Sequence, residues 1–178
     1  DIVYQNSYTM TREKAASLIL DASSSADIFV STTGKLSREI FELREARGED
    51  HGRDFLTVGS MGHASSIALQ LAVEKPDRLV WCLDGDGACL MHLGALPLIG
   101  KRHPANLIHI IMNNGAHETV GGMPVCSGKL NIPSLATAAG YARVMSVDSE
   151  DTLRNALSEA VFSKDKPVLI EIKCACGS

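Results

Sequence analysis

The sequence predicts a doubly wound α/β domain, a mainly parallel six-stranded sheet with helices on both faces. Apolar strand-like runs alternate with helix-period segments along the chain, the pattern of a parallel sheet with right-handed crossovers. Several of these runs are continuously apolar, as strands covered on both faces are. Glycine-containing turns follow four consecutive strands, at Thr32-Thr33-Gly34, Gly59-Ser60-Met61-Gly62, Gly85-Asp86-Gly87 and Asn113-Asn114-Gly115.

In chain order, Arg12–Asp21 reads as a helix because Ala15, Leu18 and Ile19 recur at helical spacing behind Thr11, a natural N-cap. A strand at Ile28–Ser31 and a helix at Ser37–Ala46 follow. The next pairs are Phe55–Val58 with His63–Val73, Leu79–Leu83 with Met91–Ile99, and Leu107–Met112 with Ser134–Ala139. A strand at Ala142–Val147, a helix at Ser149–Phe162 and a strand at Val168–Lys173 complete the series. The segment Asn113–Pro133 is the longest irregular stretch, and a loop of that length in a compact domain is usually functional.

A chain of 178 residues is one domain by length, with no linker or internal repeat. A net charge of −4 and the lack of a Lys/Arg run exclude a nucleic-acid stripe. No apolar stretch approaches the roughly 18–20 residues of a membrane span. The amino-terminal Asp1-Ile2-Val3-Tyr4 is not a basic-then-apolar signal sequence. Five scattered cysteines point to reduced thiols and a cytoplasmic location. Cys174-x-Cys176 has no second pair with which to close a zinc site.

The four turns should open at the carboxyl edge of one sheet, where open α/β folds bind ligands. Gly85 and Gly87 would let backbone approach a phosphate, and a helix starting near Ala88 would aim free N–H groups at it. Asp86 and Asn114 add the hard oxygen donors that suit Mg²⁺. Asp86 sits in a loop and is expected to contribute little to the core. Competing motifs fail. Gly85-x-Gly87-x-x-Leu90 lacks the third glycine of a dinucleotide fingerprint, and Gly34-Lys35-Leu36 lacks the Ser/Thr of a P-loop.

Gly85-Asp86-Gly87, 25 residues, then Asn113-Asn114 resembles the signature of thiamine diphosphate enzymes in their diphosphate-binding domain. Thr32–Glu39, Val58–Ala64 and Asn113–Gly122 further resemble the phosphonopyruvate decarboxylases, with the sulfopyruvate decarboxylases next. The similarity runs from Ile28 to Lys173. It implies the thiamine diphosphate-binding fold, with thiamine diphosphate and Mg²⁺ as cofactors and a 2-oxoacid substrate, phosphonopyruvate, losing CO₂. Asp86, the Asn114 side chain and the Ala116 carbonyl would ligate Mg²⁺. Thr33, Gly34, Gly87 and Ala88, beside Gly85, would line the diphosphate. The Gly59-Ser60-Met61 segment would receive the aminopyrimidine. There the Gly59 carbonyl and Met61 N–H would bond, and the Met61 side chain would hold the cofactor bent. His117 is the candidate catalytic histidine. His92, His103 and His109 read as residues in or beside core elements, and Lys35 and Arg38 as first-turn residues that could meet a phosphonate.

The related enzymes continue Gly-Gly-Gln-Pro-Thr where this chain has Gly121-Gly122-Met123-Pro124-Val125. The family also builds each site between two domains, the partner supplying a glutamate that protonates the aminopyrimidine. One sheet consumes this chain, so a pyrimidine-binding domain or subunit is expected as partner. The chain is then an excised domain or a separate subunit, silent alone and self-associating as a homo-oligomer.

Overall fold

The computed structural model describes residues 6–177; the stretch 1–4, read above for a signal sequence, lies outside them. The elements are α1 (Arg12–Ala22), β1 (Ile28–Ser31), α2 (Lys35–Arg47), β2 (Asp54–Leu56), α3 (Ala64–Glu74), β3 (Val80–Gly85), α4 (Asp86–Met91) and α5 (Ala95–Arg102). Then come β4 (Leu107–Asn113), β5 (Ala116–His117), β6 (Met123–Pro124), α6 (Ile132–Ala139), β7 (Arg143–Val147), α7 (Glu150–Phe162) and β8 (Val168–Lys173).

Six strands form one sheet in the order β2-β1-β3-β4-β8-β7, every neighbouring pair parallel. Successive residues of the central strands feed opposite layers. Trp81, Leu83, Ile108 and Ile110 pack with α1, α2 and α7, whereas Val80, Cys82, Leu107 and Ile111 pack with α3, α5 and α6. This is the doubly wound arrangement predicted, and it explains why the strands read as unbroken apolar runs. The chain winds from β1 outward to β2 and then back past β1 to β3, which makes the β1/β3 boundary the topological switch point.

Local chemistry sets the helix ends. Thr11 caps α1 by accepting from the Lys14 N–H. Asn131 caps α6 ahead of Pro133, and Ser149 with Thr152 closes a capping box on α7. Two expectations need correction. The single helix expected over Met91–Ile99 is two, α4 and α5, with Gly94 as the N-cap of the second, because glycine is a poor helix former. The second strand stops at Leu56, short of Val58, which is 99% exposed. The long loop is also more ordered than expected. It holds the antiparallel pair β5–β6 and two short 3₁₀ turns, Glu118–Val120 and Cys126–Lys129.

α5 and α6 approach closely at Gly100. A Cβ there would lie 1.8 Å from the Ala139 carbonyl oxygen, a backbone atom that cannot rotate away. Gly100→Ala gains helix propensity of about 1 kcal/mol but meets an overpacking cost of roughly 1–3 kcal/mol or more. The expected outcome is a Tm lower by several degrees, at about 2–4 °C per kcal/mol for this size. Calorimetry that finds Gly100→Ala more stable than the wild type would contradict the close approach.

Candidate functional site

A cleft of about 380 Å³ opens at the carboxyl edge of the sheet, over the switch point. All four glycine turns reach it. Thr33 and Gly34 come from the turn after β1, and Gly59, Ser60 and Met61 from the one after β2. Gly85, Asp86, Gly87 and Ala88 lie at the β3–α4 junction, and Asn114, Ala116 and His117 follow β4. The first two turns are tied together, since the Gly59 N–H donates to Thr33 Oγ1 at 2.9 Å. Gly59 and Gly62 have positive φ, and so does Ser60 at φ 51. A non-glycine residue in that region is a local cost that persists where surrounding structure imposes it.

Asp86 opens α4, with Gly85 as N-cap. The expectation of a surface-loop carboxylate is wrong, for the residue is 2% exposed. Asp86 Oδ2 accepts from Ser127 Oγ at 2.5 Å and from the Gly115 N–H at 3.2 Å. Burial pushes the Asp86 carboxyl above the ordinary carboxylate range. The bonds from Ser127 and from the Gly87 and Gly115 N–H groups, with the charge of His117, only partly offset this. A buried carboxylate in that balance suits a cation. Around it the cleft offers oxygen, because Asn114 is 7% exposed and its Oδ1 accepts from the Ala116 N–H at 3.0 Å. The preceding Asn113 points the other way along the pleat and donates to buried Glu171 at 2.6 Å.

Gly87 has a second reason, besides the one read from sequence, to carry no side chain. A Cβ there would come within 2.3 Å of His117 Cε1, so the imidazole covers this glycine. At Gly85 nothing stands within 4 Å of that position. His63 lies on the surface, its Nδ1 at 3.1 Å from the Ser60 carbonyl and its ring 4.2 Å from that of His92. His92 and His103 are exposed at the C-caps of α4 and α5, and His109 is buried within β4. Arg38 faces solvent, while Lys35 lines the cleft with its Nζ 3.5 Å from Glu118.

Sequence reasoning missed Ser127, Arg12, Glu118 and Thr119. Arg12, in the first turn of α1, is a buried guanidinium at the cleft wall. It donates to both oxygens of Glu39 at 2.8 and 2.6 Å and to Glu118 at 2.6 Å. Glu118 also accepts from the Gly177 N–H at 2.6 Å. Thr119 Oγ1 meets the Lys35 N–H at 3.4 Å and would lie 2.6 Å from a Cβ at Gly34. These partners are separated by up to 106 residues in sequence, and no short motif marks them.

Burial works against the Glu118 carboxylate. The Arg12 and Gly177 hydrogen bonds and the Arg12 and Lys35 charges outweigh it and hold its pKa below the ordinary range. A carboxylate depressed in the folded state contributes stability above its unfolded pKa of about 4.3. That contribution is lost as pH falls through the lower folded value. Glu118→Gln is therefore expected to lower stability near neutrality by about 1.5–3 kcal/mol, the scale of one charged hydrogen bond. The difference from wild type should shrink below about pH 4. Urea unfolding across pH checks this, and a difference that grows on acidification would contradict it.

The chain has relatives among known proteins. The chain is 40% identical over 149 residues to a phosphonopyruvate decarboxylase of Streptomyces viridochromogenes, covering 84% of this chain and 36% of that protein. It is 36% identical over 137 residues to the sulfopyruvate decarboxylase subunit beta of Methanocaldococcus jannaschii, covering 75% of this chain and 70% of that subunit. It thus spans little more than a third of the first relative. The fold resembles that of a thiamine diphosphate-dependent 4-hydroxybenzoylformate decarboxylase of Rhodococcus jostii RHA1. The TM-score is 0.76 and the identity 21%, with 98% of this chain and 34% of that one covered. Residues 32–172 match the family model for the C-terminal TPP-binding domain of thiamine pyrophosphate enzymes, and the chain belongs to that family.

Proposed function

We propose that this chain is the diphosphate- and Mg²⁺-binding half of a thiamine-diphosphate-dependent 2-oxoacid decarboxylase, and that its substrate is phosphonopyruvate, converted to phosphonoacetaldehyde and CO₂. The observation that carries the reading is the convergence of four glycine turns from separate strands on one cleft that also receives Asp86, Asn114 and Ala116. The donor set is all oxygen, and Asp86 is a buried carboxylate held above its ordinary pKa, so the residues fit a hard divalent cation beside a diphosphate.

Asp86, the Asn114 side chain and the Ala116 carbonyl would hold Mg²⁺. Thr33, Gly34, Gly87 and Ala88 would line the diphosphate, and the Gly59 carbonyl and Met61 N–H would receive the aminopyrimidine. When bound, thiamine diphosphate supplies the electron sink for loss of CO₂. The chain's own residues would orient it, with Met61 at the cleft wall against it. His117, whose ring covers Gly87, would hold or move a proton near the substrate. A pyrimidine-binding domain or subunit would contribute the glutamate that protonates the aminopyrimidine.

A second reading, the beta-type subunit of a sulfopyruvate decarboxylase, is favoured by one observation, that the chain covers 70% of such a subunit. A cytoplasmic location fits five free cysteines. No helix among the described residues is long and apolar enough to cross a membrane. A silent cofactor-binding module remains the non-enzymatic reading.

Reconstitution with a pyrimidine-binding partner tests these alternatives. The complete enzyme should turn over phosphonopyruvate well above pyruvate, because a doubly charged phosphonate recruits charge-assisted hydrogen bonds. A preference for sulfopyruvate selects the second reading, and equal turnover of pyruvate refutes both substrate assignments. The isolated chain should be silent. It should also self-associate through apolar groups around the cleft such as Val58, Val120 and Met123, which are 99%, 64% and 58% exposed. Enzyme-like rates from the chain alone, or a clean monomer by light scattering, would count against the corresponding part.

Asp86→Asn keeps the volume of this buried residue and removes its charge. Mg²⁺-dependent thiamine diphosphate binding in the reconstituted enzyme should fall by more than the roughly 10–100-fold typical of losing an outer-shell partner. Unchanged affinity by calorimetry would remove Asp86 from the metal site.

A further inference from the structure

Beneath the cleft, in the layer shared with α3, α5 and α6, three side chains of different donor chemistry meet. Cys82 and Asp84 project from the same face of β3, and His109 stands opposite Cys82 in the β3–β4 register. One ligand atom from each lies within 4.8 Å of the other two. All three residues are 0% exposed. This is the one such cluster among the described residues, and it shares no residue with the cofactor cleft.

Two of its polar atoms are left over. Asp84 Oδ1 accepts from the Gly85 N–H at 3.0 Å, but Asp84 Oδ2 has no hydrogen-bond partner among the described residues, and neither has His109 Nε2. They face each other at 3.6 Å, beyond hydrogen-bond range. A fully buried carboxylate oxygen left in this way is costly. The other imidazole nitrogen is engaged, for His109 Nδ1 lies 2.8 Å from the hydroxyl of buried Tyr141. If Nδ1 carries the proton and donates it to that hydroxyl, the Nε2 lone pair turns toward Asp84 and Cys82. Metal-bound histidines are commonly oriented by such a bond from their second nitrogen.

We propose that Cys82 Sγ, Asp84 Oδ2 and His109 Nε2 form a buried binding site for a divalent transition-metal ion, zinc by donor type, separate from the Mg²⁺ site of the cleft. A sulfur, an imidazole nitrogen and a carboxylate oxygen are three of the four donors that a tetrahedral zinc ion takes, leaving one position to a small exogenous ligand, whereas the thiolate is foreign to Mg²⁺. Bond lengths of about 2.0–2.3 Å place zinc ligands roughly 3.3–3.8 Å apart at tetrahedral angles. The 3.6 Å pair already fits that spacing, and the 4.8 Å limit on the cluster is within about an ångström of it. Charge closes as well. Binding releases the Cys82 thiol proton, and thiolate plus carboxylate then neutralise the divalent ion with His109 uncharged. Such an ion would bridge β3 and β4 immediately below Asp86 and Asn114.

The test uses the full chain expressed with added zinc, exchanged into Mg²⁺ buffer and analysed for bound metal. One equivalent of zinc per chain is expected, and cobalt in its place should give a thiolate-to-metal charge-transfer band. Cys82→Ala should lose the band and most of the zinc while circular dichroism reports an unchanged fold. His109→Gln should weaken retention by at least tenfold. Folded wild-type protein with substoichiometric zinc and no cobalt–thiolate band overturns the proposal and leaves a metal-free Asp84–His109 pair. Survival of the band in Cys82→Ala also overturns it, because the ion would then sit on another cysteine. All of these readouts are independent of decarboxylation and of the cleft assignment.

Discussion

The site depends above all on the parallel pairing of β3 with β4. Its register runs from Val80 opposite Leu107 to Gly85 opposite Met112, so both strands end at nearly the same height. Asp86 and Asn114 are therefore delivered to one edge although 28 positions separate them in sequence. A parallel pair cannot be closed by a tight turn and needs a crossover. The crossover of α4 and α5 lies on one face of the sheet and leaves the carboxyl edge open. A slip of one residue would send Asp84 toward the opposite layer, because side chains alternate along the pleat.

The turn from β3 into α4 gives Asp84 and Asp86 different surroundings, although positions two apart in a continuing strand would share a face. Asp86, at the start of α4, accepts a serine hydroxyl and backbone N–H groups at the cleft. Asp84 is still within the strand and turns into the apolar layer, where a cysteine and a histidine face it. One strand end thus supplies a carboxylate to an open cleft and another to a sealed core position. Asn113 and Asn114 repeat the division, one bonded to buried Glu171 and the other lining the cleft.

The long loop after β4 is held by groups from both ends of the described chain. Arg12 of α1 and the Gly177 N–H converge on Glu118. The Asn114 carbonyl accepts from Asn6 at 2.9 Å and from Cys176 at 2.6 Å. Ser127, far along the same loop, returns to Asp86. The loop is ordered less by its own sequence than by these anchors, which explains why it carries only two-residue strands and short 3₁₀ turns.

Sequence periodicity and turn chemistry were enough to determine the layer order, the six strands and the four glycine turns that meet at one edge. Those features follow from contacts between near neighbours and from the repeat of each element. Helix starts were legible where a cap was local, as at Thr11 and Ser149. The break between α4 and α5 was not, because a single glycine such as Gly94 within a helical pattern is often tolerated and does not by itself mark an end. Tertiary structure alone decided that Asp86 is buried, that His117 covers Gly87, and that Arg12, Glu118 and Ser127 shape the cleft. It also decided that Cys82, Asp84 and His109 share one sealed position. Each of these depends on side chains brought together across strand pairings or loop closures of tens of residues, and such distances leave no spacing in the sequence for a motif to record.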